Sequence, residues 1–251
     1  MNSNAARAAI REGAAASGLR VDGNLNLVGC ADVASLPANL HVRGNLHLNS
    51  CTGLAELPAG LRVGGYLDVT GCTGLTGLPK DLDVDGNINL SYCLGLVGLR
   101  AGFHTKGSLS MAHCTGLSEL PPQLRTARHL ILTRCTGLKT VPADLVVGGN
   151  LELTYCTSLE MLPATLAVGG GLYLNNCREL AELPDALHVK RSLDLTGCTR
   201  LEVLPEDLCV DGDLDLTGCT RLEALPPDLQ VGGRLVVNCC EGLRPRPATS
   251  G

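Results

Sequence analysis

Thirteen cysteines occur in this 251-residue chain, and eleven fall at 30, 51, 72, 93, 114, 135, 156, 177, 198, 219 and 240, spaced by 21 without exception. A thiol can serve as a nucleophile, a soft metal ligand, half of a disulfide or a small packing group. The spacing separates these roles. A fixed period puts every cysteine at the same place in a repeated unit, so stacked units point their thiols the same way. If the units pair as neighbouring strands, successive Cβ atoms stand about 4.8 Å apart. A disulfide prefers ~3.8 Å, with its bonds turned toward each other. A tetrahedral zinc site gathers four ligands around one point, which a straight row does not supply, and no CxxC pair occurs. The ladder therefore reads as packing, and thiol-based metal binding along it is the rival. Cys209 and Cys239 lie off the ladder and read as the exposed, reactive pair.

Other candidate chemistry is thin. His113–Cys114 and Arg134–Cys135 place a base or cation beside a thiol, but adjacent side chains in a turn diverge and both thiols belong to the ladder. DVDGNIN at 83–89 resembles the start of a calcium loop. That pattern wants glycine where Ile88 stands and a bidentate Glu where Leu94 stands. Asp194, Asp213 and Asp215 make a local acidic patch, read as a solvated face with calcium as the minor alternative. No Ser/His/Asp set recurs in facing columns. The expectation is a non-catalytic chain with no cofactor and no metal site.

The elements that position these residues follow from the same period. Proline recurs at 37, 58, 79, 121, 142, 163, 184, 205, 226 and 247, with Arg100 the replacement. Glycine holds 23, 44, 65, 86, 107, 149, 170, 212 and 233, with Arg128 and Arg191 the exceptions. The chain is one array, not a set of domains. In RVGGYLDVTGCTGLTGLPKDL (62–82) the apolar positions are Val63, Leu67, Val69, Cys72, Leu75, Leu78 and Leu82. Leu67–Asp68–Val69 alternates as a half-buried strand does. Gly64 and Gly65 allow a tight bend, and Pro79 argues against a helical return. One unit cannot bury its apolar groups alone, but a stack of units can.

The pattern LxLxxCxxLxxLPxxL resembles the leucine-rich repeat LxxLxLxx(N/C)xL over about residues 19–243. The resemblance is to the short, cysteine-containing bacterial type with LPxxL returns. It implies a repeat solenoid of about eleven coils, with a parallel β-sheet on one face and extended or 3₁₀ returns on the other. One departure from that pattern is V-x-G ahead of the strand, which places Val63 four residues before Leu67 instead of three. The resemblance implies a protein-binding scaffold. Bacterial relatives that act in a host cell supply the alternative of an effector or inhibitor. In such proteins ligase activity resides in a domain beyond the repeats, and only Arg244–Gly251 follow the last coil here.

Outward strand positions are where a partner would be read. They give Asn45, His47, Tyr66, Asp68, Asn87, Asn89, His129, Glu152, Tyr173, Asp194, Asp213 and Asp215. Between Arg100 and Lys139 six cations face one acid, Glu119, inside a chain of net charge −5. Arg125, Arg128 and Arg134 in that stretch predict docking of an acidic or phosphorylated protein.

Composition bounds the rest. Aromatics are 2% and tryptophan is absent, so leucine and valine must supply nearly all the core, which suits a regular lattice. Mild acidity argues against a general nucleic-acid binder. No apolar run reaches the ~18 residues of a membrane helix. Residues 1–18 read either as a capping helix, with Asn4 as N-cap and Ile10 facing the first coil, or as a leader. Without a secretory h-region, thirteen thiols predict a reducing, cytoplasmic setting, or delivery into a host cell on the effector alternative. Residues 244–251 read as a tail whose prolines blunt the last edge, with self-association through that end as the alternative.

Overall fold

The computed structural model describes residues 1–244. It is a parallel β-solenoid of eleven 21-residue coils behind a single helix. The second strands of the coils, from Leu25–Asn26 to Leu235–Val236, join into one eleven-stranded parallel sheet. Its register is the sequence period: Leu25 pairs with Leu46, and Leu46 with Leu67. At ~4.8 Å per strand the sheet runs about 50 Å.

The departure V-x-G has a structural consequence that the sequence pattern alone did not give. Val63 does not extend the strand of Leu67. It belongs to a separate strand, Arg62–Val63, and a bend at Gly64–Gly65 divides it from Leu67–Asp68. Each coil therefore has two short strands. The first strands stack as three parallel runs, ending at Asp83–Val84, Ala167–Val168 and Gln230–Val231. The bend must be glycine-rich because consecutive coils nearly touch there. A Cβ on Gly86 would lie 2.7 Å from Gly65 O and 2.8 Å from Gly65 C.

The returns are extended, as expected, and carry no helical segment among the described residues. Within LPxxL the proline carbonyl accepts the N–H of the leucine three residues on, as from Leu145 to Pro142 at 3.1 Å. That single turn redirects the chain into the next coil.

The core is a set of aliphatic columns. In the coil at 62–82, Val63, Leu67, Val69, Cys72 and Leu75 are buried, and Leu78 and Leu82 are partly buried against them. Each fully buried leucine contributes ~1.5–3 kcal/mol, so repetition offsets the absence of large aromatics.

The N-terminal end is closed by the helix Ser3–Arg11. Its N-cap is Asn2, not Asn4: the Asn2 Oδ1 accepts the N–H of Ala5 at 2.9 Å. Asn4 lies inside the first turn. The helix stops well short of residue 18, because Gly13 at φ 68° ends it. Ala14 N–H bonds to Ala9 O and Gly13 N–H to Ile10 O, the glycine-terminated closure of a helix C-terminus. Ala6 and Ile10 are buried on the first coil, and Arg11 pairs with Asp32 at 3.0 Å. At the other end the described residues leave an apolar hollow of about 610 Å³, lined by Leu225, Pro226, Leu229, Val231, Leu235 and Leu243. The expected prolines at 245 and 247 lie outside the described residues.

Candidate interaction surface

The ladder thiols are free and mostly buried. They do more than fill space. The Cys51 thiol donates to the carbonyl of Leu27 at 3.0 Å, and Cys72 to Leu48, Cys135 to Met111 and Cys219 to Leu195 follow the same rule at 3.1–3.3 Å. From Cys51 onward each ladder thiol thus ties its coil to the one before. Burial pushes the thiols of Cys72 and Cys93 up to about 12, and that of Cys114 to about 11. Held protonated and shielded from solvent, these thiols react slowly with external reagents at neutral pH. His113 and Cys114 share no hydrogen bond among the described residues.

The outward candidates divide into two columns, each with internal work. In the bend column, Asn45 Oδ1 accepts the N–H of Tyr66 at 2.9 Å, and Asn87 that of Ser108 at 2.8 Å. His129 Nδ1 accepts from Asn150 at 3.0 Å, and Asp213 from Arg234 at 2.8 Å. These side chains replace the ladder bonds that the bend interrupts. In the strand-exit column, Asp68, Asn89, Asp194 and Asp215 each accept the N–H two residues on, from Thr70, Ser91, Thr196 and Thr217. This is the Asx-turn geometry. Burial opposes the charge on Asp68, but hydrogen bonds from Thr70 and Asn49 outweigh it and hold the carboxyl below its ordinary value. His47 meets Tyr66 edge-on at 5.9 Å, and Glu152 and Tyr173 are half-buried register neighbours.

The calcium-like segment is partly neutralised by a lysine of the next coil. Lys106 Nζ lies 2.8 Å from Asp83 and 2.6 Å from Asp85, and these two carboxylates push its pKa up to about 12.

The basic residues do not converge. Arg125 is on the first strand of its coil, Arg128 at the bend, and Arg134 beyond Leu130–Ile131 on the turn before Cys135. Lys139 pairs with Glu160 at 3.1 Å. Arg100 lies over the Phe103 ring at 5.9 Å, with its Nε buried and without a hydrogen-bond partner among the described residues.

The sequence reading missed a different surface. The residue before each ladder cysteine has φ between 55° and 74° in all eleven coils, from Gly29 to Cys239. Position three of a type II turn requires that conformation and favours glycine. Gly29, Gly71, Gly197 and Gly218 satisfy it. The middle coils place Tyr92, His113, Arg134 and Tyr155 there instead. The Tyr92 and His113 rings stack at 4.2 Å with 13° between planes. The Arg134 guanidinium lies 4.8 Å from the Tyr155 ring centroid. Four consecutive coils thus present planar side chains, and Tyr92 is 48% exposed. Leu94 and Val97 stand exposed nearby on the same coil as Tyr92. A left-handed conformation costs a non-glycine residue ~1–2 kcal/mol. The signal available in sequence was the glycine in that column and its replacement by Tyr, His and Arg.

One further grouping was not foreseen. His188, Cys209 and Asp211 bring one ligand atom each to within 4.8 Å of one another. The signal for it was column arithmetic: 188 and 209 are one period apart, and 211 follows two residues on.

No protein-family model matches the chain, and no curated protein sequence matches it. Fold and surface define its class: a capped parallel β-solenoid with a buried thiol ladder. Among the described residues no helix is long and apolar enough to cross a membrane.

Proposed function

We propose that this chain is a non-catalytic scaffold of leucine-rich-repeat type that binds a protein partner, working in the cytoplasm where its thiols stay reduced. The observation that carries this reading is the stripe Tyr92–His113–Arg134–Tyr155. These residues keep a backbone conformation that glycine would hold more cheaply, and they use it to expose two stacked pairs. Tyr and Arg are the side chains that dominate protein interfaces. The Asn and Asp residues of the strand face serve as spacers that hold the surface rigid, because their acceptors are already engaged. Arg125 and Arg128 are exposed cations without an ion pair among the described residues, and they bias the choice toward an acidic or phosphorylated partner. The apolar hollow offers a second contact, through which two copies associate.

The test is site-directed photo-crosslinking from positions 92, 113 and 155 in cells, with exposed Met161 on the return side as the control. Expected is one protein adduct from the stripe, absent from position 161 and lost from positions 113 and 155 in Tyr92→Ala/Arg134→Glu. Adducts of equal yield and identity from position 161, or adducts that survive the double substitution, overturn the reading.

A further inference from the structure

We infer that His188, Cys209 and Asp211 form a binding site for one divalent transition-metal ion of zinc-like, borderline softness. The site is independent of the docking surface and of the buried ladder.

The placement comes from the repeat. His188–Val189, Cys209–Val210 and Gln230–Val231 are adjacent first strands in register, so residues 188, 209 and 230 form one column. The valines point into the core, and their neighbours point out. Asp211 follows Cys209 by two residues and returns to the same face. His188 Nε2 lies 2.9 Å from Asp211 Oδ1. The Cys209 Sγ lies 3.9 Å from that oxygen and 3.9 Å from Gln230 Oε1.

The column of Asp211 explains why a cation belongs there. Two other aspartates hold the equivalent position, and each meets a basic side chain from the next coil. Asp22 faces Arg43 at 3.4 Å, and Asp85 faces Lys106 at 2.6 Å. The residue one coil beyond Asp211 is Gly232, which has no side chain to offer. Lys190, one coil before it in the column, makes no ion pair with it among the described residues. Asp211 turns to His188 instead. Where the other aspartates have an ammonium or guanidinium, this one has an imidazole and a thiol.

The donor set then selects the ion. One nitrogen, one sulfur and one carboxylate oxygen suit zinc better than calcium or magnesium, which take oxygen ligands. Zinc binds these donors at ~2.0–2.3 Å. Tetrahedral geometry at those lengths sets donors ~3.3–3.8 Å apart; the two separations to Asp211, 2.9 and 3.9 Å, bracket that range, and the His188 and Cys209 donors lie within 4.8 Å of each other. All three side chains are on the surface or partly so, and small rotations bring them onto one centre. Gln230 Oε1 or water completes four-coordination. On binding, the Cys209 thiol releases its proton to solvent, and neutral His188 gives a nitrogen lone pair, so the ion's charge falls by two through the thiolate and carboxylate.

Cobalt(II) titration of the full chain, with thiols kept reduced, tests this. Expected is a thiolate-to-cobalt charge-transfer band saturating at one equivalent and displaced by zinc. Cys209→Ser should abolish the band, and His188→Ala and Asp211→Asn should each weaken cobalt binding about tenfold or more. Cys239→Ser should leave it intact. Thermal unfolding of each apo variant, unchanged from wild type, excludes misfolding as the cause, since none of the three residues is in the core. No band at millimolar cobalt overturns the inference. So does a band that persists in Cys209→Ser, which would move the metal to another thiol.

Discussion

The thiol of Cys72 donates to the carbonyl oxygen of Leu48 across 3.1 Å, and Leu48 lies in the preceding coil. The N–H of Cys51 reaches that same oxygen at 3.0 Å from within Leu48's own coil. A carbonyl has two lone pairs, and here one closes a turn while the other joins two coils. The ladder is a row of hydrogen bonds as well as a row of apolar groups.

Cys135 tests both roles. Its thiol bonds to Met111 O at 3.1 Å, and that oxygen keeps the N–H of Cys114 when the thiol is removed. Cys135→Ala therefore costs a small cavity and one weak bond, about 1–3 kcal/mol. The same change at half-exposed Cys240 costs less. Urea midpoints for the two variants check this, and equal losses would show that burial is not what matters.

The ladder was legible in the sequence because a solenoid writes each column at a fixed interval. Burial of Cys30 through Cys219 followed from position alone. The two-strand coil was not legible, because Val63 and Leu67 carry the same apolar signal whether or not a bend separates them. The outward direction of Asn45 and Asn87 followed from period-two alternation. Their engagement did not, because the acceptor's partner is a backbone N–H 21 residues away. Tyr92, His113, Arg134 and Tyr155 each precede a ladder cysteine, so their column was visible, but the left-handed turn that turns their rings outward and stacks them was not.

Alkaline pH should destabilise the fold. An unfolded cysteine titrates near 9.0, whereas burial raises Cys72, Cys93, Cys156 and Cys219 to about 12. Raised folded values mean that the stability is fully present below pH 9 and is lost as pH rises toward 12, because the unfolded state releases its protons first. The urea midpoint should fall steeply in that window, and less steeply in a variant with several ladder cysteines changed to alanine. Below pH 9, a thiol reagent should find Cys209, Cys239 and half-exposed Cys240 in the native protein and all thirteen thiols in denaturant. Native reaction of the full set at the denatured rate would refute the buried ladder.

Asn150 separates structure from recognition on the strand face. Its Oδ1 accepts the N–H of buried Gly171 at 3.0 Å. Asn150→Ala orphans that donor and should cost about 1–3 kcal/mol. Asn150→Asp should be nearly neutral, because Asp213 does the same for Arg234. Thermal melts rank the two, and a harmless alanine would show that the Asn150 side chain is not needed for the bend and is free to meet a partner.

His113→Gly places function and stability in opposition. The substitution removes a ring stacked on Tyr92 at 4.2 Å, a contact worth ~0.5–1.5 kcal/mol. It also relieves a left-handed φ of 61°, whose cost in a non-glycine residue is ~1–2 kcal/mol. Glycine adds back some chain entropy in the unfolded state, about 0.4–1 kcal/mol. These contributions nearly cancel, so the melting temperature should move little while partner crosslinking from position 155 falls. His113→Ala loses the stack and keeps the strain, so it should be the less stable of the two. A glycine variant that melts well below the alanine variant would mean that the ring stack holds the turn. In that case the stripe would be a structural device, not a surface kept for a partner.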